Sequence, residues 1–423
     1  MSNRHEDDAK RVLQELDQEI RSRGHGAIRE VERALGRSVG WWQRRVESGD
    51  LNLSQLLAVL GKLGLNPSRY LKMALDDGQE LDLDLPRGKP PRIVGKAWNR
   101  IAAGNAGDLG RGYLDEIDRL RYDAPRLALE RAEAIIDHVP LEDLPLLLGI
   151  AGSAYRLWDI RLDEAEHAIR AGIKIALERR DQRSYAELLQ RLSYVISDRA
   201  DFAGALQLTE RAMIIHVVNG EMSGVGKSLV DQGLCLSKLG RMREAIHAQE
   251  AALKYLPSEQ NAYRFAAVQS LALYYLRSGD VEKACELAKQ AEGLVAGLAA
   301  SARAKLCWLK AEICTNLKEY DQAERYLKAA IDIFSSIHYG ETALATTDLI
   351  RIQLLRGYPR AAYTTAQTMY QLVEPLRGNP IVAAAVSDLL RVGQASLELA
   401  LVEGVKSRLE KARVRREWRT LCV

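Results

Sequence analysis

A short turn followed by a small residue recurs six times along this chain, at Ala165, Ala205, Ala245, Ala284, Ala323 and Ala361, with spacings of 40, 40, 39, 39 and 38 residues. That period fits two antiparallel helices per unit. One pair cannot bury its own apolar face, so the units must stack into an array. Finer spacing agrees: Gly233, Gly240, Ala245, Ala252 and Pro257 fall 7, 5, 7 and 5 residues apart, echoed by Ala272, Gly279, Ala284 and Ala291 and by Ala311, Ala323 and Ala330. Small residues belong where paired helices cross closely.

The apolar residues are largely Leu and Ala at helical spacing, with three Phe in 423 residues and no alternating β-branched run, so the expected fold is all-α. No proline lies between Pro145 and Pro257, whereas Pro86, Pro90 and Pro91 cluster. The cluster divides the chain into a compact unit at 1–76, a linker at 77–112, a solenoid at 113–379 and two closing helices at 380–423.

In the first unit, Val12, Leu13, Leu16 and Ile20 form one apolar stripe, and Ile28, Val31 and Leu35 a second, ending at Gly36. Ser38 is placed to cap a third helix running to Gly49, in which Val39, Trp42 and Val46 face inward. Gly40, Trp41, Gln43, Arg44 and Arg45 then face solvent. Leu53, Leu56, Leu57, Leu60 and Leu63 make a fourth stripe, and Asn66-Pro67 opens a fifth helix with Tyr70, Leu71 and Leu75.

The segment ALGRSVGWWQRRVESGDLNLSQLLAVLGKLGLNPSRYL resembles the Cro/repressor type of helix-turn-helix domain over roughly residues 10–76, with one residue more than the usual pattern between Gly36 and Gly49. In that family the second helix of the motif enters the major groove. The resemblance therefore implies that Arg37, Ser38, Gly40, Trp41, Gln43, Arg44 and Arg45 lie at double-stranded DNA. Charge points the same way: seven Arg between Arg21 and Arg45 face only Glu30 and Glu32, a local +5 in a chain of net charge +3. The plainer alternative is a helical bundle used only for protein contacts.

The 40-residue units resemble the tetratricopeptide repeat, whose usual period is 34, and imply a right-handed α-solenoid. Placed behind a Cro-like domain, they are similar to bacterial regulators that hold a short peptide in the concave groove. By spacing, the first helices would line that groove with Glu187, Gln190, Tyr194, Asp198, Lys227, Lys238, Gln269, Arg277, Lys305, Trp308, Glu312 and Asn316. For any single position a solvated face explains the polarity as well. The expected function is a homodimeric transcription regulator that senses a peptide or protein; the alternative is an interaction scaffold that uses its N-terminal unit for docking.

No catalytic, metal or cofactor motif emerges. Gly226-Lys227-Ser228 imitates a phosphate-binding loop, but the position needing glycine is Glu221, and the preceding apolar run reads as a helix rather than a strand. Five scattered cysteines form no CxxC pair and read as small apolar residues. No signal peptide or membrane span is expected, which suggests a cytoplasmic chain. The basic run from Lys406 to Arg419 reads as a solvated cap of the array.

Overall fold

The computed structural model describes residues 13–65 and 85–368, apart from 25, 35–36, 49–55, 57–58, 61, 64, 87–88, 105–106, 111, 159–160, 338, 359–360, 363 and 367. The expected fifth helix at 67–75, the closing helices at 380–423 and their basic run lie outside the described residues, as do Gly36 and Leu53. The fold is all-helical. Among the described residues there is no strand, and no helix is long and apolar enough to cross a membrane.

Near the N-terminus, α1 (13–22), α2 (Ala27–Ala34) and α3 (Trp41–Ser48) surround a small core with Leu13, Leu16, Ile20, Val31 and Trp42. Next come α4 (Arg92–Ala103), α5 (Gly112–Leu120) and α6 (Pro125–Ile135). The first of these corrects the linker expectation, because residues 92–103 are helical and bury Ile93, Val94 and Ala97 completely in the core of the solenoid. Three apolar positions on one face outweigh the flanking prolines, which mark only where the helix begins.

The array follows as α7 (Leu144–Leu157), α8 (Leu162–Glu178), α9 (Gln182–Asp198), α10 (Phe202–Val218), α11 (Met222–Lys238), α12 (Met242–Tyr255), α13 (Asn261–Arg277), α14 (Val281–Leu294), α15 (Ala300–Asn316), α16 (Tyr320–Phe334) and α17 (Tyr339–Leu355). Each odd-numbered helix pairs with the next even-numbered one, and successive odd-numbered helices pack on one another more closely than successive even-numbered ones. The odd-numbered helices therefore line the inner face.

The repeated alanines explain the pairing. Ala165, Ala205, Ala245, Ala284 and Ala323 are all fully buried, as are Ala212, Ala252, Ala291 and Ala330 one helical face further on; in the last unit Ala362 takes the inward place while Ala361 is exposed. The turns repeat too. Arg180, Ala200, Gly220, Gly240, Gly279, Lys318 and Gly357 all adopt φ between 57° and 87°, the left-handed joint that ends one helix and redirects the chain. Asp181, Asp201 and Asp280 then cap the next helix by accepting backbone N–H groups at 2.8–3.0 Å. Of the cysteines, Cys235 and Cys314 are buried and Cys285 and Cys307 half-buried.

Candidate functional site

The inner face is polar and densely cross-linked near the start of the array. Arg156 of α7 pairs with Asp198 of α9 at 2.7 Å and lies 5.1 Å from the ring of Tyr194. The Tyr194 hydroxyl donates to the carboxylate of Asp231 on α11. Gln190 donates to Ser228 at 3.0 Å, and Lys227 sits 5.0 Å over the ring of Tyr263 on α13. Burial pushes the Asp231 carboxyl up to about 7 despite these partners.

Farther along, Gln269 donates to the Lys305 carbonyl, Lys305 pairs with Glu341 at 3.0 Å, and Trp308 donates its indole N–H to Asp348 at 2.9 Å. Lys238, Arg277 and Glu312, from α11, α13 and α15, interact electrostatically but form no ion pair within 4.0 Å among the described residues. Burial, with Asp348 adding to it, raises the Glu312 carboxyl to about 7; desolvation by the neighbouring helices, followed by Arg277, lowers Lys238 although its side chain also reaches solvent. Three ionisable side chains on successive inner helices thus share this stretch of the face without pairing to one another.

The sequence-derived groove residues divide. Tyr194, Asp198, Lys227, Gln269, Lys305, Trp308 and Glu312 reach the inner face half-buried, and Lys238, Arg277 and Asn316 are exposed. Gln190 is corrected: it is buried between α9 and α11 and serves their contact rather than the surface. Asn316 donates to the Glu312 carbonyl of its own helix. Sequence reading missed Arg156, Asp231 and Asp348, although with Tyr194, Gln269 and Trp308 they recur every 37–40 residues at one position of the unit.

A second set of contacts on this face has no local mark in the sequence. At the end of α5, Asp118 pairs with Arg191 of α9 at 2.9 Å, and Asp123 accepts the backbone N–H of Ala300, the first residue of α15, at 3.0 Å. Between them, Arg121 donates to Asp118 and to the Tyr122 hydroxyl, both at 2.8 Å.

In the N-terminal bundle Trp42 is fully buried, donates its indole N–H to Asp17 at 2.8 Å and its backbone N–H to the buried Glu32 at 2.9 Å. Two orientations differ from expectation. Trp41 is 8% exposed and packs in the bundle under Arg37, whereas Val39 is 72% exposed. The helix starts at Trp41, after Gly40 at φ 77°, so Val39 lies in the turn and not on the helical stripe. Gln43 and Arg44 face solvent, Arg45 is half-buried, and Ser38 accepts from Arg44 at 3.3 Å.

Gly226 and Ser228 lie buried inside α11, so the resemblance to a phosphate loop has no loop to act through. Among the described residues, no three His, Cys, Asp or Glu side chains are grouped to hold a metal ion.

Stacked helix pairs with a charged inner face define a helical-repeat protein of the solenoid class. The tetratricopeptide repeat model matches residues 226–258 and 304–336, covering α11–α12 and α15–α16, so this chain carries tetratricopeptide repeats. Two solved structures are similar: BtubC (BKLC) from P. vanneervenii, at 16% identity over 58% of this chain and 91% of that one with a TM-score of 0.39, and a Rap protein complexed with competence and sporulation factor, at 13% identity over 78% and 97% with a TM-score of 0.49. No curated protein matches.

Proposed function

We propose that this chain is a regulatory peptide- or protein-binding tetratricopeptide protein whose ligand lies along the inner face of α9–α17. The observation that carries the reading is the charged set Lys238, Arg277 and Glu312 on three successive inner helices, which form no ion pair with one another or with other described residues. A peptide supplies the missing charges along one extended backbone, with aromatic contact at Trp308. The chain acts by binding and not by catalysis. The test is to pan a displayed random-peptide library on the purified chain. Enriched peptides are expected to lose at least about tenfold in affinity on Lys238→Ala, Arg277→Ala or Glu312→Ala. A library yielding only peptides indifferent to all three substitutions overturns the reading.

A second reading makes the N-terminal bundle the output, binding operator DNA as a homodimer whose half-site spacing the ligand-bound solenoid alters. The favouring observation is α3, which presents Gln43 and Arg44 to solvent while Trp42 anchors its other side. Arg37 and Arg45 add positive charge beside them. Selection of bound fragments from genomic DNA is expected to yield a shared palindrome that Arg44→Ala/Arg45→Ala loses and that weakens steeply with salt. Recovery without a shared site, or indifference to that double substitution, leaves the scaffold reading.

A further inference from the structure

Residues 118–123 make a polar bridge across the inner face that the packing of the array does not require. Their helix, α5, joins the core through Leu114 and Ile117. Leu120 packs against the same core, and the polar side chains around it are held by charge and hydrogen bonds: Asp118, in the last turn of α5, to Arg191 on α9, and Asp123, in the turn after it, to the N–H of Ala300 on α15. Ala299, at the N-cap of α15, has no side chain able to cap that helix, so an acceptor 177 residues away takes the role.

Between these anchors Arg121 is only 8% exposed, bonded to Asp118 and lying 4.1 Å over the ring of Tyr122. Tyr122 in turn lies within electrostatic reach of Tyr194 and Tyr263. Burial opposes ionisation of Asp118, yet Arg191 and Arg121 outweigh it and hold the carboxyl well below its usual range. Six consecutive residues thus present an acid, a cation, an aromatic ring and a second acid to the walls on which the proposed ligand lies.

We infer that the 118–123 turn is a built-in occupant of the groove, and that the ligand is a peptide of like character, acidic at both ends with a basic-aromatic centre, which displaces it. The inference rests on the peptide-binding reading above and deepens it. Polar anchors suit such an exchange, because a ligand carboxylate can replace Asp118 on Arg191 while Leu120 and the rest of α5 stay packed on the core.

The probe is a fluorescein-labelled peptide with the sequence of residues 115–126, DEIDRLRYDAPR. It is titrated by anisotropy into the full chain and into Asp118→Ala/Asp123→Ala, in which both anchors are gone and the walls intact. The variant is expected to bind about tenfold more tightly than the parent. Arg191→Ala in the variant background is expected to abolish that binding, and a scrambled peptide to show none. Limited trypsin digestion reads the seating without any ligand: cleavage after Arg121 is expected to be slow in the parent and fast in the variant. Equal cleavage in both chains overturns the inference. Unequal cleavage with no peptide binding to either chain shows a seated turn that no peptide of this character replaces, and removes the displacement. Enriched library peptides indifferent to Asp118→Ala/Asp123→Ala do the same while leaving the peptide-binding reading standing. Circular dichroism checks the fold; if the double variant loses helicity, Asp123→Ala alone, which removes one hydrogen bond, carries both measurements.

Discussion

The Tyr194 hydroxyl donates to the carboxylate of Asp231, joining the half-buried Tyr194 of α9 to a buried acid on α11. Burial raises Asp231 to about 7, so the folded chain keeps a proton that the unfolded chain releases near pH 4. Stability from this group is therefore complete below about pH 4, falls as pH rises toward about 7, and then levels off. Asp231→Asn keeps an acceptor for Tyr194 without the charge. Measured by urea unfolding from about pH 4.5 to about 7.5, the variant is expected to gain on the parent by on the order of a few kcal/mol as pH rises. A constant difference across the range contradicts this.

Gly152 of α7 lies against α8 so closely that a Cβ there would meet Ile169 Cγ1 at 2.5 Å and the Ala165 carbonyl oxygen at 2.8 Å. Gly152→Ala is expected to cost about 1–3 kcal/mol. Gly95, within α4, has nothing within 4 Å of the same position, so Gly95→Ala is expected to stabilise by up to about 1 kcal/mol. Opposite shifts in urea midpoint would establish that crossing distance, and not helix propensity, selects glycine in α7.

Ala200 adopts φ 64° at a joint where equivalent positions 220, 240 and 279 are glycine. Ala200→Gly relieves the contact between Cβ and the following carbonyl oxygen and is expected to stabilise by about 0.5–1 kcal/mol, allowing for the greater freedom of glycine when unfolded. The readout is a higher urea midpoint at unchanged slope.

Trp42→Phe in the N-terminal bundle retains most of the buried ring but removes the donor to Asp17; a loss of about 1 kcal/mol is expected. Trp42→Ala is expected to cost about 3–5 kcal/mol, enough to unfold a bundle of this size. Near-UV circular dichroism and chemical denaturation distinguish the two.

The array was legible in the sequence because packing forces it there: every unit needs a small residue at the same crossing, and Ala165 through Ala323 record that need locally. Polar positions carry a weaker imprint. Tyr194 and Trp308 fall on the groove stripe by spacing, while nothing in the sequence distinguishes Arg156 and Asp231 from the many surface charges, since their partners lie one unit away. Val39 lost its expected inward place because the helix begins only at Trp41, leaving Val39 in the turn before it, and Trp41 takes up the apolar space beside Trp42. The helix at 92–103 was hidden by neighbouring prolines. Nothing local marks Asp118 or Asp123, whose partners stand 73 and 177 residues away along the chain.

The bond from Asp123 to Ala300 closes over four intervening helix pairs, α7 through α14. Nearest-neighbour packing alone would tolerate an array one unit longer or shorter, since each unit recognises only those beside it. With a turn that must meet the opening residue of α15, gaining or losing a unit would present Asp123 with a different helix end, or with none. The bridge thus ties the start of the array to its far side across four pairs, a fixed span within a stack whose further units, α16 and α17, it leaves untouched.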